Sequence, residues 1–413
     1  MKTKKAVYLF IISFSSIPVV RIMAREFSVI KSSQVTLLIL LALTASIFAL
    51  SKLITDFEIE NNYLKRIIPV FFIYELIIIA RGLPFDSTGI KEILQSDYLF
   101  WIYLIPLFIF FDKDLVTIAY LMDAIYFLGI VFLLVCIVHP TFILYRSTAE
   151  VFIHPFAFGC GFLLLNARYL SKKKRAVAFL SLLVGAVSFT YLARRNGIVS
   201  YGGLIFASLA LAAKNISASK FFRIFPLLAG IVVIGLLFTD YLPATLTDRL
   251  NSRLTEDSRS YVFDNLFADM EDDMIFGKGM KGLYYSPMGG GGANADGVEF
   301  AEVEYRNIIE NGYLQQYLNG GIVYISLFLL VLLPAVFLGI YKSQNQFTQA
   351  CAILVFLWLL DMFIFGLPRI TLQYVLVWIC AGICYKSSIR EKSNEEISDV
   401  FLNYKEYENT LVY

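Results

Sequence analysis

The chain has 413 residues, of which 58% are hydrophobic and 16% charged, and its mean hydropathy is +0.69. A soluble domain carries about 45–50% apolar and about 25% charged residues, so this composition excludes an ordinary soluble protein. The net charge of +2, without a long basic tract, argues against a nucleic-acid partner. Two histidines and no HExxH or CxxC motif argue against a transition-metal site built by the protein, and no cofactor is expected.

The apolar residues are concentrated in blocks long enough to cross a bilayer as helices, which takes about 20 residues. The sequence therefore predicts an all-α polytopic membrane protein with about 12 transmembrane helices. The third and fourth blocks are short, so one of them could be re-entrant, and ten to twelve spans is the expected range. The blocks cover 6–23, 35–55, 67–80, 98–111, 115–138, 151–166, 176–193, 197–213, 224–242, 320–341, 348–366 and 370–386.

Lysine and arginine fall mostly in alternate connections, which predicts that both termini are cytoplasmic. The cluster SKKKR at 171–175 is the strongest anchor, and the first block is expected to be an uncleaved span. The polar stretch before the third-last helix then becomes a long extracytoplasmic loop. The expected organisation is helices 1–9 in 1–242, the loop in 243–321, helices 10–12 in 322–386, and a loosely ordered cytoplasmic tail in 387–413.

The loop is expected to contain two helices. After Arg259, apolar residues recur at spacings of three and four and form one stripe, which predicts a helix that ends near Phe276-Gly277. The stripe should pack on the second loop helix or on the membrane interface. Its members are Val262, Phe263, Leu266, Phe267 and Met270.

The second helix is predicted over Tyr305–Leu318 and ends at Gly320-Gly321. Arg306 and Glu310 are four residues apart and would share a face, with Tyr313 nearby. Glu310 would lie near the membrane surface, where the head group of a lipid-linked substrate lies. An ion pair between Arg306 and Glu310 on a solvated face is the alternative.

Several arginines are candidates for binding phosphate, because a guanidinium presents a fixed fork of donors to phosphate oxygens. Arg249, Arg253 and Arg259 lie close together in the loop, although pairing with the loop's own acids is an equal alternative. The loop is acidic overall, so anion binding there must be local. The Gly289–Gly292 run lacks phosphate-loop spacing and is expected to be a hinge or lid.

Arg194 and Arg195 lie in a short turn on the predicted outer side, where positive charge is disfavoured. They need an anionic partner, and the diphosphate of a lipid carrier would serve. Arg81, Lys91 and Arg369 could join them from neighbouring outer loops.

Four ionisable residues fall inside apolar blocks and should face the interior of the bundle, because exposure to lipid is costly. Structural pairing and a substrate role are both open for each. They are Glu75, Asp123, His154 and Asp361.

Three stretches together resemble the O-antigen polymerase and O-antigen ligase superfamily. TYLARRNGIVS is similar to its Ser-Arg-x-Gly-like turn, with Arg195 at the arginine. DSRSYVFDNLFADMEDDMIFGKGM is similar to the start of its long loop, with Arg259 at the arginine and Gly277-Lys278-Gly279 at the turn. IIENGYLQQYLNGGIVYISLFLL is similar to the end of that loop, except that Glu310 stands where the ligase branch has histidine, which favours a polymerase-like member.

The resemblance implies a GT-C-like fold in the bacterial inner membrane and transfer of an oligosaccharide from a polyprenyl diphosphate to another lipid-linked repeat unit. Glu310 would take the proton of the acceptor hydroxyl. Arg195 and Arg259 would stabilise the leaving diphosphate. Substrate contacts would come from Arg194, Arg249, Arg253, Arg306, Tyr313, Arg81 and Arg369, and the implied protein partners are a flippase and a chain-length regulator.

Two alternatives stay open. One is a ligase of the same superfamily, which would transfer the finished glycan to another acceptor. The other is a non-enzymatic flippase or transporter of lipid-linked oligosaccharide, although such a protein has little use for so long an outer loop.

Overall fold

A computed structural model describes most of the chain. The described residues are 3–26, 32–55, 57, 59–84, 86, 89, 100–144, 146–192, 195–212, 260–286, 305–309, 311–364 and 369–410.

The described chain is almost wholly helical, as the apolar blocks predict. In chain order the α-helices are α1 Thr3–Glu26, α2 Ser32–Leu53, α3 Asn62–Gly82, α4 Leu115–Val138, α5 Thr141–Leu144, α6 Arg146–Leu165, α7 Lys172–Tyr191, α8 Arg195–Ala212, α9 Ser260–Asp269, α10 Gly312–Tyr341, α11 Gln346–Ile364, α12 Leu372–Tyr385, α13 Ser387–Arg390 and α14 Asn394–Thr410. Short 3-10 helices cover Phe100–Tyr103, Ile105–Phe110 and Ala167–Tyr169. Two strands, β1 Tyr284–Tyr285 and β2 Tyr305–Arg306, pair antiparallel.

Ten of the twelve predicted apolar blocks coincide with α-helices of the bundle. Among the described residues, four helices are long and apolar enough to cross a membrane: α4, α7, α10 and Gln346–Phe363 of α11. The block at 224–242 lies outside the described residues. All five cysteines are buried within the bundle and form no disulfide.

The fourth predicted block, 98–111, is not an α-helix. Its described part forms 3-10 helices of four and six residues, with Pro106 at the start of the second. At about 2.0 Å per residue, the two 3-10 helices together have a length of about 20 Å. A hydrocarbon core is about 30 Å thick, so they are too short to cross it. Tyr103 and Phe108 are nevertheless buried, so the segment packs inside the bundle.

One end of the bundle, which we call the tail end, gathers the C-terminal segment and the connections around it. The Asn345 side-chain amide, between α10 and α11, donates to the carbonyls of Ile389 at 2.8 Å and Lys392 at 3.0 Å. Asp123 of α4 accepts hydrogen bonds from Lys174 of α7 and from the hydroxyl of Tyr404 of α14. Asp123 is thus a structural carboxylate that joins three helices.

The prediction of a loosely ordered tail is wrong for residues 387–410. They form α13 and α14, and α14 buries Ile397 and Phe401 against the bundle. Tyr169 donates to the Asn394 side chain at 2.6 Å, at the start of α14. The sequence of α14 is polar on average, but Ile397, Phe401 and Tyr404 are buried in this contact.

The second loop helix also differs from its prediction. Tyr305 and Arg306 form a strand instead of the first helical turn, with Arg306 opposite Tyr284. The helix begins at Gly312, because the side chain of Asn311 caps it by accepting from Leu314 N at 3.1 Å. It then continues into the next span across a break at Gly321. Because Arg306 lies in a strand, it is not part of the second loop helix.

The first loop helix is confirmed as α9, although it is shorter than predicted and continues as turns up to Phe276. Leu266 and Met270 are fully buried and pack against Tyr317 and Leu318 of α10. The apolar stripe therefore packs on the second loop helix, as predicted. Gly277 ends the segment with a positive φ of 66°.

Candidate functional site at the loop end of the bundle

The end opposite the tail, which we call the loop end, is organised by a break in α10. Gly321 has φ 63° and ψ −165°, which is not a helical conformation. From Gly321 to Tyr341 the helix rises about 30 Å, which is the thickness of a hydrocarbon core. The break thus lies about one membrane thickness from the tail end, and Gly312–Gly320 projects beyond it.

The segment 274–280 fills the break with backbone hydrogen bonds. Lys278 N donates to Leu318 O at 2.7 Å, and Gly279 N donates to Asn319 O at 2.8 Å. On the other side of the break, Ile322 N donates to Met274 O at 3.0 Å. The backbone groups that lose their helical hydrogen-bond partners at Gly321 are therefore paired with the loop segment. These hydrogen bonds stabilise the break in α10.

The end of α3 holds the same segment from the other side. Met280 N donates to Ile78 O at 3.0 Å, and the Tyr74 hydroxyl donates to Gly320 O at 2.8 Å. Arg81 Nη1 donates to Phe276 O at 2.8 Å, and its Nη2 lies 3.7 Å from a carboxylate oxygen of Asp273. Arg81, a predicted substrate contact, is thus engaged in docking the loop.

A second cation of this region is also paired within the loop. Lys278 Nζ donates to Asp269 Oδ2 at 2.6 Å, at the end of α9. Two acids of the loop, Asp269 and Asp273, are therefore paired with Lys278 and Arg81.

The start of α10 is joined to the end of α11. The Asn311 side-chain amide donates to Phe363 O at 2.8 Å, and the Tyr313 hydroxyl donates to Leu359 O at 3.0 Å. The rings of Tyr313 and Phe363 have centroids 4.5 Å apart. Tyr313, a predicted substrate contact, therefore anchors one helix to another.

The start of α8 is joined to the same part of α11. The Ser200 hydroxyl donates to Asp361 Oδ1 at 2.6 Å, and Asp361 is buried. Asp361 is two residues before Phe363, which accepts from Asn311. Arg195 begins α8, about 7.5 Å along the helix axis from Ser200. The starts of α8 and α10 therefore meet the end of α11 at the loop end.

A line of polar side chains runs down α10 from the loop towards the break. The Gln315 side chain accepts from Ile309 N at 2.8 Å and donates to Asn307 O at 3.0 Å. Its amide also donates to Asn319 Oδ1 at 3.2 Å, and Asn319 donates to the Tyr103 hydroxyl at 2.8 Å. We did not predict this line. The signal for it was QQYLN, in which Gln315 and Asn319 are polar and four apart at the head of an apolar helix.

Beneath the break, Glu75 of α3 is buried and accepts from the Tyr324 hydroxyl at 3.0 Å. The prediction that Glu75 and Asp361 face the interior of the bundle is confirmed. Each of these carboxylates accepts a hydrogen bond from a hydroxyl group of a neighbouring helix, Tyr324 for Glu75 and Ser200 for Asp361.

The structure describes only some of the predicted site residues. Arg306 is half-buried in β2, and Arg369 precedes α12 on the connection from α11. The main chain of Arg195 is described, but its side chain is outside the described part. Also outside it are Lys91, the His154 side chain, Arg194, Arg249, Arg253, Arg259, Gly289–Gly292 and Glu310.

The helices and their apolar spans define an α-helical membrane protein. No protein-family model, no curated protein and no solved structure matches the chain.

Proposed function

We propose that the protein is a polymerase of surface polysaccharide, such as an O-antigen, a capsule or an exopolysaccharide. It would transfer an oligosaccharide from a polyprenyl diphosphate onto another lipid-linked repeat unit, in the inner membrane of a bacterium. This proposal includes about twelve spans, cytoplasmic termini, an outer loop end, and a flippase and a chain-length regulator as partners.

The observation that supports it is the convergence on α11. Asp361 and Phe363 are two residues apart on α11 and join it to α8 and α10. Arg195 begins α8, and Asn311, the residue after Glu310, caps α10. α8, which begins at Arg195, and α10, which begins two residues after Glu310 in sequence, thus start at the same end of the bundle.

In the proposed reaction, Glu310 removes the proton from the acceptor hydroxyl, and that oxygen forms a bond to the anomeric carbon of the donor sugar. The bond between this carbon and the diphosphate oxygen breaks, so the diphosphate leaves on its carrier lipid. Arg195 and Arg259 stabilise its developing negative charge. No nucleotide sugar enters this step.

The experiment is to express Glu310→Gln and Arg195→Ala in a host that lacks its own polymerase and to measure glycan chain length. General-base and electrostatic effects of this kind are each worth about 100-fold or more, so both variants should leave single repeat units. The matched control is Arg168→Ala, because Arg168 pairs with Glu395 at the tail end. Normal chain lengths in both site variants would overturn the proposal.

A second measurement separates the alternatives. Purified protein in detergent should extend lipid-linked repeat units, whereas a flippase would leave them unchanged. Loss of a ligase would instead accumulate carrier-linked polymer in cells.

A further inference from the structure

The loop segment 274–276 exposes three apolar side chains in a row, which we call the apolar triplet. Their exposed fractions are 43% for Met274, 57% for Ile275 and 59% for Phe276. Asp272, two residues before the triplet, is exposed as well, so the chain changes from polar to apolar within a few residues. An exposed apolar patch on a folded protein commonly marks a surface that contacts another protein or a membrane.

The backbone of the apolar triplet is paired with α10, directly after the break. Ile322 N donates to Met274 O at 3.0 Å, and Val323 N donates to Ile275 O at 3.2 Å. Two carbonyls of the triplet are therefore directed to the first turn of the apolar part of α10, while the side chains of the same residues stay exposed.

The third carbonyl of the triplet is paired with α3. Phe276 O accepts from Arg81 Nη1 at 2.8 Å and from the Tyr74 hydroxyl at 3.2 Å. Ile77 shares a face of α3 with both donors and is 45% exposed. All three carbonyls of the triplet are thus paired by the protein. Hydrocarbon provides no hydrogen-bond partners, so this pairing is what a non-helical segment needs in order to contact lipid.

The exposed side of α10 continues the apolar surface away from the triplet. Ile322, Leu330, Leu333 and Phe337 are between 46% and 52% exposed. Their spacings of eight, three and four residues place them within about 80° of one another around the helix, at 3.6 residues per turn. In a helix that crosses a membrane, such a side contacts acyl chains. Because Ile322 pairs with Met274, the triplet extends this lipid-facing surface past the break.

The charged groups next to the apolar triplet are paired with one another. Asp273, directly before it, lies 3.7 Å from Arg81, and Lys278, two residues after it, donates to Asp269 at 2.6 Å. Pairing of opposite charges lowers the cost of holding ionisable groups close to hydrocarbon. The electrostatics of the segment are therefore compatible with a position at the membrane surface.

We propose that the apolar triplet is an anchor seated in the membrane, among the acyl chains just below the lipid head groups at the loop end. Its partner is bilayer lipid, not a second copy of this chain or another protein. Amphipathic interfacial segments bury their apolar side about 5–10 Å into this region. The anchor holds the segment that fills the break of α10 at the level of the head groups. This inference does not rest on glycosyl transfer.

The test places a nitroxide spin label at position 275 of the full-length protein, through Ile275→Cys. The native cysteines are buried, so the unmodified protein should take up little label. The labelled protein is reconstituted in vesicles of phosphatidylethanolamine and phosphatidylglycerol. Power-saturation EPR then compares the accessibility of the label to oxygen, which concentrates in hydrocarbon, with its accessibility to a water-soluble nickel chelate. The logarithm of the oxygen-to-nickel ratio should be positive.

Two further labelled positions serve as matched controls. Asp272→Cys should give a negative logarithm, because this residue is exposed on the polar side of the triplet. Leu330→Cys should give a positive one, because it lies on the exposed side of α10. Phe276→Cys repeats the measurement within the triplet, so the result does not depend on a single variant. Substitution at 275 or 276 keeps the carbonyls that hold the segment, so the thermal midpoint should stay that of the unmodified protein.

Each competing partner of the triplet has its own EPR result. A negative logarithm at 275 and 276, equal to that at 272, would show that the triplet faces water. Low accessibility to both reagents at 275 and 276 would show that a second copy or another protein covers it. Either result would overturn the proposal.

Discussion

The backbone of Gly277 lies directly against the backbone of Gly320, so that a Cβ atom on Gly277 would lie 2.4 Å from Gly320 N. This contact seats the loop segment 274–280 in the break of α10. The loop end is therefore a closely packed junction of α3, α10 and the loop segment 274–280.

Replacing Gly277 by alanine should undock the loop. The positive φ alone costs a non-glycine residue about 1–2 kcal/mol, and the overlap with the Gly320 backbone adds to this cost. The thermal midpoint should fall, and activity should fall with it. Gly202→Ala in α8 is the control, because nothing lies within 4 Å of its Cβ position. If both variants unfold at the same temperature, the junction does not hold the loop.

Arg81→Ala should lower the thermal midpoint, because Phe276 O loses its donor. Asp273→Asn should change the midpoint little, since an exposed ion pair is worth about 0–1 kcal/mol and both side chains are 38% exposed. Together these variants distinguish a role of Arg81 in docking the loop from a role in binding the substrate. A large rise in KM for Arg81→Ala without any change in its midpoint would favour the sequence-based prediction of a substrate contact.

Asn311 offers a matched pair of variants at the start of α10. Asn311→Asp keeps the oxygen that caps Leu314 N but loses the donor to Phe363 O, whereas Asn311→Ala loses both. Loss of an N-cap costs about 1 kcal/mol, and loss of one hydrogen bond costs a similar amount. The midpoint should fall in the order unmodified, Asp, Ala. Equal midpoints for the two variants would show that the cap contributes nothing.

The contact between Glu60 and the tail should depend on pH. Burial raises the pKa of Glu60, but the hydrogen bonds from Ser387 and Ser388 outweigh it and hold this pKa below its ordinary value. A lowered folded-state pKa contributes stability above the ordinary pKa of about 4.3, and this stability is lost as pH falls through the folded-state value.

The measurement is the difference in thermal midpoint between the unmodified protein and Glu60→Gln. This difference should be small but constant from pH 7 to about pH 5, and it should shrink below about pH 4.3. A difference that grows as the pH falls would contradict the assignment.

Much of the bundle could be predicted from local sequence. The block predicted at 115–138 coincides with α4, and Gly320-Gly321 marks the break in α10. Periodicity located α9 and the side of it that is buried. These features depend on residues near one another in the chain, so composition and spacing are sufficient to find them.

The partners of the candidate residues could not be predicted in this way. Arg81 and Tyr313 appeared to be available for a substrate, yet the fold directs them to Phe276 O and Leu359 O. Likewise, the start of the second loop helix depended on whether Tyr305 would pair with Tyr285, which lies in a distant part of the loop. Hydrogen bonds between segments that are far apart in sequence carry no local signal.

The sequence by itself determined that this is a helical membrane protein, because apolar blocks of bilayer length have few other stable states. It also determined that one polar segment interrupts them. Only the tertiary structure decided that residues 274–280 of this segment are seated in the break of α10, and that α14 packs on the bundle. Both outcomes depend on long-range packing: a backbone contact as close as that of Gly277 with Gly320 forms only when α3, α10 and the loop have assembled.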